Sequence, residues 1–307
     1  MGHTAASVNR QIVLVSGFAR GGTNIVWNLI CSHPGILTTG YELNEIYGPR
    51  RTKLPLIWKF AIEAFAVPEL TPPPIVRKYM SSRIVEFAQQ CKGNDWGLWK
   101  SKDEKYDEYE LRYLPICTKS VSSWPRDGLY SLLKRNFSLK YNKALRNIFP
   151  DLRIVYVVRD PEAMCNGWMR RGCSPMLAGR WYRIIAKRML EELREHRESI
   201  VLVNFSDVVN KPLLVAEYLH AFCGLEPHSL KEYRLKSKRV LNDDGSHLPI
   251  QGNVDDMNWI LSGDVSAFLN PKVDSTQKAM LSEEERSQFF SELKGIDKEA
   301  FDACVKF

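Results

Sequence analysis

The sequence predicts an α/β protein: one domain on a central parallel sheet flanked by helices on both faces. Three observations carry that expectation. The apolar runs in "QIVLVSG", "RIVYVVRDP" and "SIVLVNFSD" are continuous rather than alternating, as in strands buried on both sides. Segments of helical periodicity separate them. No internal repeat or low-complexity tract divides the 307 residues, so residues 1–307 read as a single unit.

The elements follow in order. "QIVLVSG" (11–17) is the first strand, closed by a glycine. The loop "FARGGTN" comes next, then "IVWNLICSH" as a helix that stops before Pro34. "ILTTGYELNE" (36–45) is a second strand–turn unit. Residues 46–140 form a divergent, aromatic-rich region, in which "TPPP" at 71–74 is expected to break any helix. Within it, "LPLIWKFAIEAFAV" (54–67) reads as an amphipathic helix. It carries Lys59 and Glu63 and is too short to span a bilayer. "YLPICTKS" (113–120) is a candidate strand, and "NKALRNIF" a helix feeding "RIVYVVRDP" (153–161). "GRWYRIIAKRMLEELREHRE" (179–198) is a helix with Trp181, Ile185, Met189 and Leu193 on one face. "SIVLVNFSD" is a third buried strand and "LLVAEYLHAFCGL" a helix closed by Gly224. Residues 231–307 begin basic and loop-like and end in helices, with "SEEE" at 282–285 as a capping box.

Composition narrows the function. Hydrophobic content of 44% and charged content of 26% suit a soluble enzyme, and a net charge of +7 leans towards anionic ligands. The basic residues are spread out rather than gathered into a tract, so no nucleic-acid partner is expected. Seven cysteines, an odd number with no Cys-x-x-Cys, favour neither a zinc site nor a disulfide framework. Reduced thiols in a cytoplasmic compartment are the expectation, with no signal peptide and no membrane span.

The chemistry starts at "SGFARGGTN". The spacing Gly17-x-x-x-x-Gly22 is that of a phosphate-cradling loop between a strand and a helix N-terminus. Such loops normally continue with a lysine and a metal-holding hydroxyl, but here Thr23 and Asn24 follow. Arg20 supplies the missing charge within the loop, binding an oxyanion through its planar fork without a metal. Gly21 and Gly22 let the backbone approach the anion, and Thr23 and Asn24 add side-chain donors. A glycine-rich turn with no ligand is the alternative, although an arginine between such glycines serves packing poorly.

Four segments, in order, resemble the sulfotransferases that use 3′-phosphoadenosine 5′-phosphosulfate (PAPS), in their bacterial and tyrosylprotein-type branch. "FARGGTNIVWNLICSHPGILTTGYE" is similar to the family's 5′-phosphosulfate loop with its following His-Pro and Gly-Glu corner. "FPDLRIVYVVRDPEAMCNG" resembles the 3′-phosphate segment. "LVNFSDVVNKPLLVAEYLHAFCGLE" resembles the downstream Tyr-Glu-Asp-Leu block, and "GSHLPIQGN" the Ser-His…Gly-Asn loop. Together they cover roughly 120 of the 307 residues.

The resemblance implies a P-loop-like sulfotransferase fold, PAPS as donor, no metal, and a small-molecule acceptor sulfated on a hydroxyl or amine. It assigns Arg20, Gly21, Gly22, Thr23, Asn24, Arg159, Gly167, Phe205, Gly252 and Asn253 to donor binding, with Arg159 on the 3′-phosphate. Several positions depart from the family's pattern. Gly167 stands where a serine is usual, eight residues after Arg159, with Asn166 beside it. Phe205 replaces a tyrosine, and Val254-Asp255-Asp256 follow Asn253 in place of basic residues. The family's mid-chain lysine, near donor and acceptor, falls on Lys119 or on Lys100.

An acceptor hydroxyl must lose its proton, which calls for a base within hydrogen-bond reach. Glu42 is the candidate: it ends the second strand unit, where parallel-sheet proteins place ligands, and falls at the Gly-Glu corner of the resemblance. Glu45, His33 and His247 are its rivals. The aromatics of 46–140, Trp58, Trp96, Trp99 and Tyr109 among them, are candidates for an acceptor pocket, though core packing is their commoner role. Two other functions stay open: a Mg²⁺-dependent P-loop phosphotransferase, disfavoured by Thr23, and a non-catalytic binder of an adenosine bisphosphate.

Overall fold

The computed structural model describes residues 10–46, 74–90, 113–122, 142–237, 257–262, 269 and 272–307. The first half holds β1 (Ile12–Gly17), α1 (Thr23–Cys31), β2 (Leu37–Glu42), α2 (Leu43–Ile46), α3 (Pro74–Gln90), β3 (Ile116–Val121) and α4 (Asn142–Ile148). The second holds β4 (Arg153–Val158), α5 (Pro161–Met169), α6 (Pro175–Glu195), β5 (Ile200–Asn204), α7 (Phe205–Asn210) and α8 (Pro212–Phe222). The C-terminal part adds β6 (Glu232–Ser237), β7 (Met257–Ser262), α9 (Val273–Lys278), α10 (Glu283–Leu293) and α11 (Ile296–Asp302).

Strands β1 to β5 form one sheet in the order β2-β3-β1-β4-β5, every neighbouring pair parallel. Continuous apolar runs follow from burial on both faces. Ile12, Leu14, Ile154, Tyr156, Ile200 and Leu202 turn to one side, among α3, α5, α6 and α10. Val13, Val15, Val155, Val157, Val201 and Val203 turn to the other, among α1, α7 and α8. Alternate residues of β1, β4 and β5 thus feed two separate cores. The chain fills one side of β1 with β2 and β3 and the other with β4 and β5. The carboxyl end of β1 therefore lies at the point where strand order reverses, the usual ligand crevice of such sheets.

Several expectations need correction. Helix α3 starts at Pro74, the last proline of "TPPP". A proline in the first turn lacks an N–H that the helix does not use there, so the run ends one region and opens a helix. Val76, Met80, Ile84 and Phe87 then form its buried stripe. Helix α6 begins at Pro175, four residues before the expected Gly179, because the Ser174 side chain caps it by accepting from the Leu177 N–H. The third strand stops at Asn204, whose side chain accepts from the Ser206 N–H and starts α7, so "FSD" is helical. The region from 231 opens on β6, which pairs antiparallel with β7, rather than on a loop. The capping box is as expected: Ser282 Oγ accepts from the Glu285 N–H at 3.2 Å, and Glu285 Oε2 from the Ser282 N–H at 2.8 Å. The segment 54–67 lies outside the described residues. No helix among the described residues is long and apolar enough to cross a membrane.

Candidate functional site

The loop after β1 is built by the glycines at its two ends. Gly17 has φ 135, and a Cβ on it would stand 2.9 Å from the Val157 carbonyl of the neighbouring strand. Gly22, at φ 89, is the N-cap of α1, and a Cβ there would enter the Phe205 ring. Only glycine meets both demands at these positions. Gly22 offers no capping side chain, and α1 has no acidic residue in its first turn. The helix N-terminus therefore presents its N–H groups and positive dipole end to the cleft. Thr23 is buried under the loop, and Asn24 is exposed beside it. Arg20 is exposed and takes a left-handed backbone, φ 74.

On one flank the structure brings Glu42, Lys119 and Asn24 together. Lys119 Nζ lies 2.8 Å from Glu42 Oε1, donates to Asn24 Oδ1, and sits 5.0 Å from the centre of the Trp27 ring. Lys119 is only 5% exposed, so its charge needs these partners. The meeting depends on an irregularity in β2. Leu37 and Thr38 pair with Ile116 and Cys117, a register that would set Glu42 opposite Val121. The register shifts between Thr38 and Glu42, around Gly40 at φ 66, and Glu42 instead faces Lys119. Bulges re-aim side chains in this way. Of the two candidate lysines, Lys119 is the one the structure sets at the loop; Lys100 lies outside the described residues.

On the other flank stands Arg159, just beyond β4 and 7% exposed. Its Nη1 donates to the Arg20 carbonyl at 2.7 Å, while Nε and Nη2 lie 2.7 and 2.6 Å from Asp274 Oδ1 on α9. The guanidinium covers the Phe205 ring at 4.5 Å. Phe205 is thus a buried plate between Gly22 and Arg159, a packing role in which a hydroxyl is not needed. Asp160 caps α5 by accepting from the Ala163 N–H and pairs with Lys278 of α9 at 2.5 Å. Gly167 lies on α5 with Gln277 Oε1 4.0 Å from where its Cβ would be, and Asn166 turns towards Met280.

The remaining candidates divide. His33 is structural: its Nδ1 accepts from the Gly35 N–H, its Nε2 donates to the Glu226 carbonyl, and burial lowers its pKa. Gly252, Asn253 and His247, and the side chain of Glu45, lie outside what the structure describes. The sequence reading missed Asp274, Trp168 and Ser122. Trp168 donates from Nε1 to the Ala19 carbonyl, and Ser122 Oγ accepts from the Ala19 N–H. Ser122 lies two residues past the "YLPICTKS" run that holds Lys119, and Trp168 follows Gly167, so both stand beside residues that the sequence singles out. Asp274 carried no signal at all.

The model of the sulfotransferase family matches residues 12–229, from β1 past the end of α8. Among solved structures, the chain is similar to the sulfotransferase domain from the Synechococcus PCC 7002 olefin synthase. The identity is 16% over 97% of this chain and 96% of that one, with a TM-score of 0.50. It is also similar to the sulfotransferase domain from the curacin biosynthetic pathway, at 14% identity, 93% and 98% coverage and a TM-score of 0.44. A sulfotransferase from Alicyclobacillus acidocaldarius gives 15% identity, 72% and 85% coverage and a TM-score of 0.36. No curated protein matches the chain. The matched span takes in the loop, Glu42, Lys119, Arg159 and Phe205 and amounts to well over half of the sequence: the chain belongs to the sulfotransferase family.

Proposed function

We propose that the protein moves a sulfuryl group from PAPS to a hydroxyl or amine of a small-molecule acceptor, by in-line transfer without a metal. One observation carries the reading: Glu42 and Lys119 stand 2.8 Å apart, with Asn24, at the N-terminus of α1. A carboxylate, an ammonium and a helix dipole then share one strand-end cleft. In-line transfer needs that set: a base for the acceptor proton and positive charge for the leaving oxygen.

PAPS supplies an activated sulfuryl group attached to a phosphate. Gly21 and Gly22 let the loop close on Phe18 and on the Phe205 ring, where a Cβ would clash, and that tight turn is what would bring its N–H groups to the phosphate. Arg159 is the candidate for the 3′-phosphate, in exchange for its contact with Asp274. Glu42 takes the acceptor proton as the bond from acceptor to sulfur forms. Lys119, Arg20 and the loop N–H groups hold the negative charge left when the sulfur–phosphate oxygen bond breaks. Gly167, Gly252 and Asn253 complete the proposed donor site, and the six described cysteines, all buried free thiols, favour a reducing compartment such as the cytoplasm.

The test is calorimetry with adenosine 3′,5′-bisphosphate in EDTA, followed by mass spectrometry of a metabolite pool incubated with isotopically labelled PAPS. Metal-independent bisphosphate binding and a labelled acceptor are expected. Binding of ATP only with Mg²⁺, and no binding of the bisphosphate, would establish the phosphotransferase instead.

A further inference from the structure

A loop that cradles an anion works only while its N–H groups point at the ligand and its carbonyls point away. A peptide unit between the two glycines can turn over at modest cost, and each reversal puts an oxygen where the anion should sit. In this protein three successive carbonyls of the loop are taken up by protein donors. The Phe18 carbonyl accepts from the Gly21 N–H at 2.9 Å, the Ala19 carbonyl from Trp168 Nε1 at 2.9 Å, and the Arg20 carbonyl from Arg159 Nη1 at 2.7 Å. The first of these peptide units, Phe18–Ala19, is held at both ends, since the Ala19 N–H donates to Ser122 Oγ at 3.0 Å.

We propose that Trp168 and Ser122 are positioning residues of the phosphate loop: Trp168 holds the Ala19–Arg20 peptide unit, and Ser122 the Phe18–Ala19 unit before it, in the orientation that keeps their oxygens out of the anion cradle. The left-handed backbone of Arg20 is the reason the loop needs such a hold. A non-glycine residue at φ 74 is strained and persists only where its surroundings determine it. Both clamps act where water cannot replace them: Trp168 is fully buried and Ser122 is 1% exposed.

The supports of the clamp are rigid. Trp168 lies two turns into α5, the helix that starts directly after Arg159-Asp160, so the end of β4 and the helix following it deliver two of the three carbonyl donors. Its ring meets Phe18 at 6.2 Å, and Phe18 in turn stacks on Tyr182 of α6 at 4.4 Å and 18°. Tyr182 donates its hydroxyl to the Arg159 carbonyl at 3.1 Å. Ser122 follows β3, and its own N–H donates to the Gly17 carbonyl at 2.9 Å. The loop is thus gripped from β3 on one side and from α5 on the other.

This inference rests on the loop being an anion cradle, and the identity of the anion is a separate matter. Trp168→Phe keeps an aromatic ring in the core and removes the N–H. Ser122→Ala removes the acceptor, and Ser122→Thr keeps it. Affinity for adenosine 3′,5′-bisphosphate by calorimetry, read beside the melting temperature of the unliganded protein, separates positioning from support. Trp168→Phe and Ser122→Ala should each bind the bisphosphate roughly tenfold more weakly, with Ser122→Thr close to wild type. A merely structural role lowers the melting temperature and leaves the affinity of the folded protein alone. Folded Trp168→Phe and Ser122→Ala proteins that bind within about twofold of wild type would overturn the proposal. Should Trp168→Phe fail to fold, the two Ser122 variants decide. If wild type binds no adenosine bisphosphate, the donor reading falls. The same variants are then compared with inorganic phosphate and Mg²⁺–ATP, where unchanged affinity again refutes the positioning role and weakened affinity supports it.

Discussion

Acidification from about pH 7.5 to about pH 4.5 should weaken the fold through His220, by an amount that its surroundings set. His220 lies on α8 against α1, 1% exposed; its Nε2 donates to the Leu29 carbonyl at 3.2 Å, and its Nδ1 has no hydrogen-bond partner among the described residues. Burial is the main force that pushes its pKa down to about 4. The Leu29 contact acts in the opposite sense, and His33 and His228 add to the lowering. The folded protein therefore keeps His220 neutral, whereas the unfolded chain takes up a proton near pH 6.5. A histidine depressed in this way contributes its full stability above about pH 6.5 and loses it as the pH falls towards about 4. At 1.36 kcal/mol per pKa unit the loss is about 3 kcal/mol, most of it by about pH 4.5, a large part of the 5–15 kcal/mol typical of a domain. Urea denaturation across this range reads it out. His220→Gln keeps a donor for Leu29 and does not titrate, so its stability should fall less steeply by about one proton. His33 is also lowered by burial and changes stability in the same sense, but it is present in both proteins and cancels. Parallel stability curves for wild type and His220→Gln would refute the reasoning.

Two predictions concern the site. Glu42→Gln preserves shape and hydrogen bonding towards Lys119 but cannot take a proton; kcat should fall by ~10²–10⁴-fold with bisphosphate affinity nearly unchanged. Turnover within about threefold of wild type at saturating substrates would remove Glu42 from the mechanism. Arg159→Ala should weaken adenosine 3′,5′-bisphosphate by ~1.5–3 kcal/mol and adenosine 5′-phosphate by clearly less, through the lost hold on the Arg20 carbonyl alone, with Asp274→Asn, which removes the competing carboxylate, acting in the opposite direction. Equal losses for the two ligands in Arg159→Ala would mean that the arginine only supports the strand end and the loop.

The parallel sheet, the apolar stripe of α6 and the capping box at Ser282 were legible in the sequence because each is written within a few residues: a strand buried on both faces, a four-residue repeat, a serine three positions before a glutamate. The glycine loop after β1 was legible for the same reason, since Gly17 and Gly22 meet steric demands that glycine alone satisfies. Glu42 and Lys119 were legible singly, but not as a pair. Their meeting depends on the order β2-β3-β1 and on the register shift at Gly40, which no local pattern records. Helix α3 was hidden because a proline reads the same at the end of one segment and at the start of a helix. The β6–β7 ribbon was hidden because its partners, Glu232 and Ser262 at one end, are far apart in the chain. That the Phe205 ring lies on Gly22 and beneath Arg159 was decided by the fold and not by any local pattern. Asp274 acquires its meaning only from the arrival of α9 beside Arg159, 115 positions away. Periodicity and steric need act between neighbours and leave a trace in the sequence, whereas register and helix docking are settled by the packing of the whole chain.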